Sequence, residues 1–149
     1  MNFYAFDVVL QEVPGEVSLC FSITGCPLRC KGCHSSHLWK AGSGKPLTKE
    51  IYLNYLDRYN GLASCVLFMG GEWHRTELML LLDAALEKGY QTCLYTGEEK
   101  IDNELKSKCT WLKSGPWIQE LGGLDSKHTN QKFTHTQTGE LLNYLFIKN

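Results

Sequence analysis

The sequence predicts an α/β fold, because short apolar runs typical of buried strands alternate with segments of helical periodicity. The clearest strand covers 65–69, a continuous apolar run that ends at Gly70-Gly71, which is the pattern of a strand buried on both faces. Apolar stripes at helical spacing lie on either side of it, after Thr48 and after Thr76. Such alternation indicates parallel strands joined by right-handed crossovers.

The remaining elements follow in chain order from local signals. Strands are expected over 3–12, 17–23, 65–69, 91–97 and 110–113, and a terminal hairpin over 133–147. Thr48 and Thr76 are the expected N-caps of two helices that stop at Gly61 and Gly89. A short polar helix is expected over 102–108.

These elements predict a site at one edge of the sheet. Four or five β-α units are too few to close an eight-fold barrel, so an open, partial barrel or a curved α/β sheet is expected. Ligands bind in such folds where strands end and loops begin. Polar or thiol groups follow the strand-like runs at Cys26, Glu72, Thr96 and Ser114.

Composition favours one ordinary globular domain over residues 1–149, with 43% hydrophobic and 21% charged residues. The net charge of −1 offers no electrostatic case for binding nucleic acid or an anionic membrane. No apolar run approaches the roughly 18 residues of a membrane span, and the first residues do not resemble a signal peptide. Seven cysteines cannot all pair internally. We therefore expect a cytoplasmic protein whose thiols bind metal or pack in the core.

Three of the cysteines form the most informative motif. Cys26, Cys30 and Cys33 have the spacing C-x3-C-x2-C, and thiolates clustered on one loop are soft ligands for iron or zinc. Three ligands on four irons would leave one iron open to a substrate or cofactor. Two other interpretations remain: small buried hydrophobes, or a zinc site completed by His34. Zinc ligands usually come as two separated pairs, and no second pair occurs here.

The segment from Thr24 to His34, TGCPLRCKGCH, resembles the cluster loop of radical S-adenosylmethionine (SAM) enzymes. It is most similar to the small activases of glycyl-radical enzymes, in particular those that activate anaerobic ribonucleoside-triphosphate reductase. The resemblance implies a partial (β/α) barrel of the radical SAM type with mostly parallel strands. It also implies a [4Fe–4S] cluster held by the three cysteines and SAM chelated at the fourth iron. Catalysis would need no further side chain beyond the cluster and SAM.

The same resemblance assigns further residues to the cofactors. Gly70-Gly71-Glu72 looks like the family's Gly-Gly-Glu motif, which binds the SAM amino group, although such a triplet alone is more often a tight turn. Thr96 could hydrogen-bond SAM or simply cap the backbone. Gly32, Cys33 and His34 would lie against the cofactors.

Two positions depart from the family pattern. Relatives commonly carry an aromatic residue before the third cysteine, beside the adenine, and here Gly32 leaves that face bare. Many relatives also have an acidic residue before Gly-Pro, where this chain has Lys113.

The resemblance implies that a reduced cluster cleaves SAM and that the resulting 5′-deoxyadenosyl radical removes a hydrogen from a glycine of a partner enzyme. That partner would be the large subunit of anaerobic ribonucleotide reductase. A flavodoxin- or ferredoxin-like reductant would supply the electron. The alternatives are a radical SAM enzyme that acts on a small molecule, a zinc-binding interaction module, and an inactive relative kept for assembly.

Overall fold

All strands belong to one sheet in the structure, a computed structural model that describes residues 1–33, 36–40 and 42–147. Along the sheet the strands lie in the order β3-β1-β2-β4-β5-β6-β7. Their bounds are β1 Asn2–Val9, β2 Ser18–Ile23, β3 Lys45–Pro46, β4 Cys65–Met69, β5 Gln91–Tyr95, β6 Trp111–Ser114 and β7 Lys132–His135.

The centre of the sheet is parallel and its margins are antiparallel. β2, β4, β5 and β6 run in the same direction, which confirms the parallel core that the alternation predicts. β1 pairs antiparallel with β2 and with β3, and β7 pairs antiparallel with β6. Among the described strands β3 and β7 are the two edges, so the fold is an open, mixed α/β sheet.

Helices cross between the parallel strands. α1, Lys49–Arg58, begins after Thr48, whose side chain accepts a hydrogen bond from the Ile51 N–H at 3.2 Å, and this confirms the predicted cap. α2 spans Arg75–Glu87 and α3 spans Asn103–Ser107, capped by Asp102. The predicted cap at Thr76 is wrong. A 3₁₀ helix over Glu72–His74 leads directly into α2, so the helix already includes Thr76.

The terminal hairpin is only partly formed. After β7 the chain returns through a single antiparallel bridge, between Thr134 and Leu141, and then forms a 3₁₀ helix over Asn143–Leu145. The Asn143 side chain makes the hydrogen bonds that a neighbouring strand would make. Its Oδ1 accepts from the Phe133 N–H at 2.8 Å, and its Nδ2 donates to the Gln131 carbonyl at 2.9 Å. Because a side chain satisfies these groups, no second strand is needed.

Both faces of the sheet are covered. One core cluster joins the sheet to α1 and α2 through Phe21, Tyr52, Phe68 and Leu82. A smaller cluster covers the opposite face and contains Cys20, Cys65, Leu67, Cys93 and Phe133. The fourth packing cysteine, Cys109, is buried in the first cluster. Within the described residues, no helix is both long and apolar enough to cross a membrane.

Candidate functional site

The three cysteines lie on the loop that leaves β2. Gly25 makes the turn with a φ of +93°, a conformation that favours glycine. The Leu38 carbonyl then accepts hydrogen bonds from the Gly25 and Cys26 N–H groups, at 2.6 and 3.2 Å. A further backbone bond joins the Cys33 N–H to the Cys30 carbonyl at 3.0 Å. The loop is therefore anchored at its start and closed by an internal turn, with all three thiols partly exposed.

One cavity collects the thiols and the carboxyl ends of the parallel strands. Its volume is about 240 Å³. The predicted residues that line it are Cys26, Cys30, Cys33, Gly70, Glu72 and Thr96. Residues that are far apart in the chain, from Cys26 to Thr96, meet there because the parallel strands β2, β4 and β5 all end at the same edge.

Glu72 presents an incompletely satisfied carboxylate to this cavity. Its Oε1 accepts from the Thr96 hydroxyl at 2.5 Å, whereas Oε2 is buried with no hydrogen-bond partner among the described residues. Burial raises the pKa of this carboxyl, and the hydrogen bond from Thr96 partly offsets the effect. A buried carboxylate oxygen without a donor is costly, so the site is suited to a ligand that brings a cationic donor.

Thr96 orients that carboxylate. Its own hydroxyl oxygen accepts from the Glu98 N–H at 3.0 Å, which leaves the hydroxyl proton directed to Glu72. The Thr96 backbone is held in turn by a bond from its N–H to the Lys113 carbonyl at 2.9 Å. The threonine therefore acts on Glu72, in addition to terminating a strand.

Lys113 brings a buried cation to the same cavity. Its Nζ donates to the carbonyls of Gly115 and Thr96, at 3.2 and 3.5 Å, and lies 5.8 Å from the centre of the Tyr95 ring. In the part of the chain that the structure describes, no carboxylate lies within ion-pair distance of it. Burial lowers the pKa of this lysine to about 8, against an opposite influence from Cys30 and Glu72.

The two glycines of the predicted motif have different roles. Gly70 lines the cavity with a φ of +81°, and a Cβ there would lie 2.6 Å from the Trp73 ring. Gly71, with a φ of +112°, faces Ile23 and Leu78 in the core. Gly70 therefore forms part of the cavity wall, whereas Gly71 makes the backbone turn that directs Glu72 toward the cavity.

Gly32 is exposed, and the expectation that it leaves a bare face beside the adenine stays a prediction. A Cβ at Gly32 would lie 3.1 Å from the Gln119 side-chain oxygen and 3.4 Å from Trp117 Nε1. Side chains of a distant segment thus lie beside Gly32, and Trp117 rather than Gly32 lines the cavity. His34, the other predicted residue of the loop, lies outside the described residues.

Sequence reasoning missed several cavity residues. In the sequence Lys113 stands out only as a departure from the family pattern. The structure brings Trp39, Trp73, Trp117 and Lys113 together at the cavity. The only available signal was the position of Lys113 at the end of a parallel strand.

The donor set fits an iron–sulfur cluster. No three histidine, cysteine or acidic side chains among the described residues surround one ion-sized point, so the zinc alternative gains no support from them. A four-iron cluster is held at separate corners and has no such requirement. Burial raises the pKa of the Cys26 thiol, and a bound cationic metal centre favours the thiolate form.

Comparison with known proteins agrees with this chemistry. Residues 13–123 match the family described as the 4Fe-4S single cluster domain, and the chain belongs to that family. A pyruvate formate-lyase-activating enzyme from Clostridium pasteurianum is 34% identical over 96 residues, which cover 58% of this chain and 39% of that protein. The chain thus matches well under half the length of that relative. The expectation of a [4Fe–4S] protein is confirmed at the level of the family.

Proposed function

We propose that this chain is a radical SAM activating enzyme that generates a glycyl radical on a partner enzyme. The carrying observation is that the three cysteines of the cluster loop and the half-satisfied Glu72 carboxylate line one cavity. The relative from C. pasteurianum bears the name of an enzyme that activates pyruvate formate-lyase. This similarity supports the interpretation as an activating enzyme.

In this proposal Cys26, Cys30 and Cys33 hold the cluster, and Glu72 accepts a hydrogen bond from the amino group of SAM. When bound, the cluster supplies the single electron that cleaves SAM. Thr96 keeps the Glu72 carboxylate in place through the bond to Oε1. Apolar side chains of Ile23, Leu28 and Met69 form part of the wall and would exclude water from the bound groups.

The proposal also includes a partner enzyme and a source of electrons. We propose anaerobic ribonucleotide reductase as the partner, on the resemblance of the cluster loop, and a flavodoxin- or ferredoxin-like protein as reductant. The open sheet is compatible with a partial barrel of the radical SAM type. An open edge would leave the cavity accessible to a protein loop carrying the glycine.

Anaerobic reconstitution with iron and sulfide tests the cluster and the reaction together. We expect about four irons per chain, a brown reducible chromophore, and release of 5′-deoxyadenosine when dithionite and SAM are added. Cys30→Ala should lose the cluster and the SAM cleavage. Cys93→Ala is the matched control, because Cys93 is buried in the core away from the loop, and it should keep both.

Each alternative has its own outcome in this assay. One tightly bound zinc without SAM cleavage would indicate a zinc-binding module. A cluster that forms without SAM cleavage would indicate an inactive relative. Cleavage that a glycine-containing peptide of the reductase does not stimulate would favour a small-molecule substrate.

A further inference from the structure

Trp39 directly follows Leu38, the residue whose backbone carbonyl anchors Cys26. It follows the 3₁₀ helix Ser36–Leu38, and its N–H donates to the Ser36 carbonyl at 3.1 Å. The Leu38 carbonyl, one residue earlier, accepts from the Gly25 and Cys26 N–H groups. The indole is therefore held beside the cluster loop, and it lines the cavity together with the three thiols.

The indole nitrogen of Trp39 is buried, and it has no acceptor among the residues that the structure describes. Trp73, in the same cavity, differs: its Nε1 donates to the Thr24 carbonyl at 3.2 Å. Buried polar groups are nearly always hydrogen-bonded, and an indole N–H can only donate. The orphaned Trp39 donor thus indicates an acceptor that binds in the cavity.

The position of Trp39 favours an acceptor bound at the cysteine side of the cavity over one bound at the strand ends. A second cavity, on the outside of the loop, is lined by Cys26, Arg29, His37 and Trp39, together with Gly25, Pro27, Ser36 and Lys40. The strand-end residues Glu72 and Thr96 line only the first cavity of these two. The Arg29 guanidinium also lies 5.7 Å from the centre of the Trp39 ring, which fixes the indole against the loop.

We propose that the Trp39 indole N–H donates a hydrogen bond to a sulfur atom of the cluster held by Cys26, Cys30 and Cys33. This hydrogen bond raises the reduction potential of the cluster. The inference rests on the proposed cluster site and concerns its tuning. A hydrogen bond to sulfur stabilises the reduced cluster more than the oxidised one, because reduction adds negative charge to the acceptor. Hydrogen bonds to sulfur are among the features that set cluster potentials.

Anaerobic redox titration of the reconstituted protein, followed by electron paramagnetic resonance, tests the proposal. Trp39→Phe keeps an aromatic ring and removes the donor, so its midpoint potential should be lower than that of the wild type. Trp73→Phe is the matched control. It removes an indole N–H that already bonds to a backbone carbonyl, so its potential should equal that of the wild type.

A second variant covers the case in which Trp39→Phe fails to fold or to take up the cluster. Replacement of Trp39 by the sulfur isostere β-(3-benzothienyl)alanine keeps the bicyclic shape and removes only the N–H. The same fall in potential is expected. An unchanged potential in this isosteric variant would overturn the inference, and so would an unchanged potential with weakened SAM binding, which would assign the donor to SAM.

The outcome also separates this inference from the proposed function. The titration needs no SAM cleavage, so a wild-type protein that forms the cluster but does not cleave SAM refutes the proposed activity while the comparison of potentials stays decisive. A wild-type protein that forms no cluster refutes both.

Discussion

At the residue scale, the cavity concentrates polar groups that the chain does not satisfy by itself. Glu72 Oε2 and Trp39 Nε1 are buried without partners among the described residues, and the Lys113 ammonium binds only backbone carbonyls there. Each group costs stability when no ligand is bound. A bound cofactor that satisfies them would therefore stabilise the folded chain.

Glu72 should make the stability of the cluster-free protein dependent on pH. Burial raises its pKa in the folded state, so the folded protein retains a proton that the unfolded chain has already lost. The free energy of unfolding should fall as the pH rises from about 4.3, the ordinary glutamate value, up to the raised pKa. The slope in this window is at most about 1.4 kcal/mol per pH unit.

Glu72→Gln removes this titration, and urea unfolding at a series of pH values measures the difference. The stability of the variant should vary less with pH over that window. Thr96→Val should extend the window upward, because the Thr96 hydrogen bond lowers the Glu72 pKa. Identical pH profiles for the wild type and Glu72→Gln would contradict the assignment.

At the scale of elements, the start of α1 is set by a local interaction. Thr48 has an extended backbone, and its hydroxyl accepts from the Ile51 N–H. The helix then buries Tyr52 and Leu56 against the sheet. The cap and the apolar spacing agree, and this is why the helix could be predicted from sequence.

Thr48→Ala should lower the free energy of unfolding by about 1 kcal/mol, because one N–H of the first helical turn loses its acceptor. Thr48→Ser keeps an acceptor at the same position and should stay close to the wild type. Urea denaturation of both variants measures the difference. Equal losses for alanine and serine would show that the methyl group, and not the cap, is responsible.

At the scale of the whole molecule, β4 is the central strand of the core. Phe68 on this strand is fully buried and packs against both Phe21 and Tyr52, with ring centres 5.6 and 5.9 Å away. These rings join the sheet to α1. A change at Phe68 therefore affects the packing of both layers.

Phe68→Ala should lower the free energy of unfolding by about 3–5 kcal/mol, through lost burial and a new cavity. Leu62→Ala is the control, because Leu62 is 72% exposed and its truncation should change stability by no more than about 0.5 kcal/mol. Thermal or chemical unfolding of the two variants makes the comparison. A loss at Phe68 as small as that at Leu62 would refute the central role of these rings.

The sequence by itself determined the features that depend on neighbouring residues. Apolar runs ended by glycine predicted the parallel strands, Thr48 predicted the start of α1, and the cysteine spacing indicated a cluster. Because parallel strands end at one edge, the sequence also anticipated that the cluster loop, Glu72 and Thr96 would meet.

Only the tertiary structure decided the features that depend on distant residues. The Trp117 side chain lies beside Gly32 from more than eighty positions away, and the Asn143 side chain bonds to the backbone where a second hairpin strand would pair. The same holds for Trp39 and Lys113, whose surroundings come from several loops. Local propensity cannot encode such contacts, because each depends on where the rest of the chain packs.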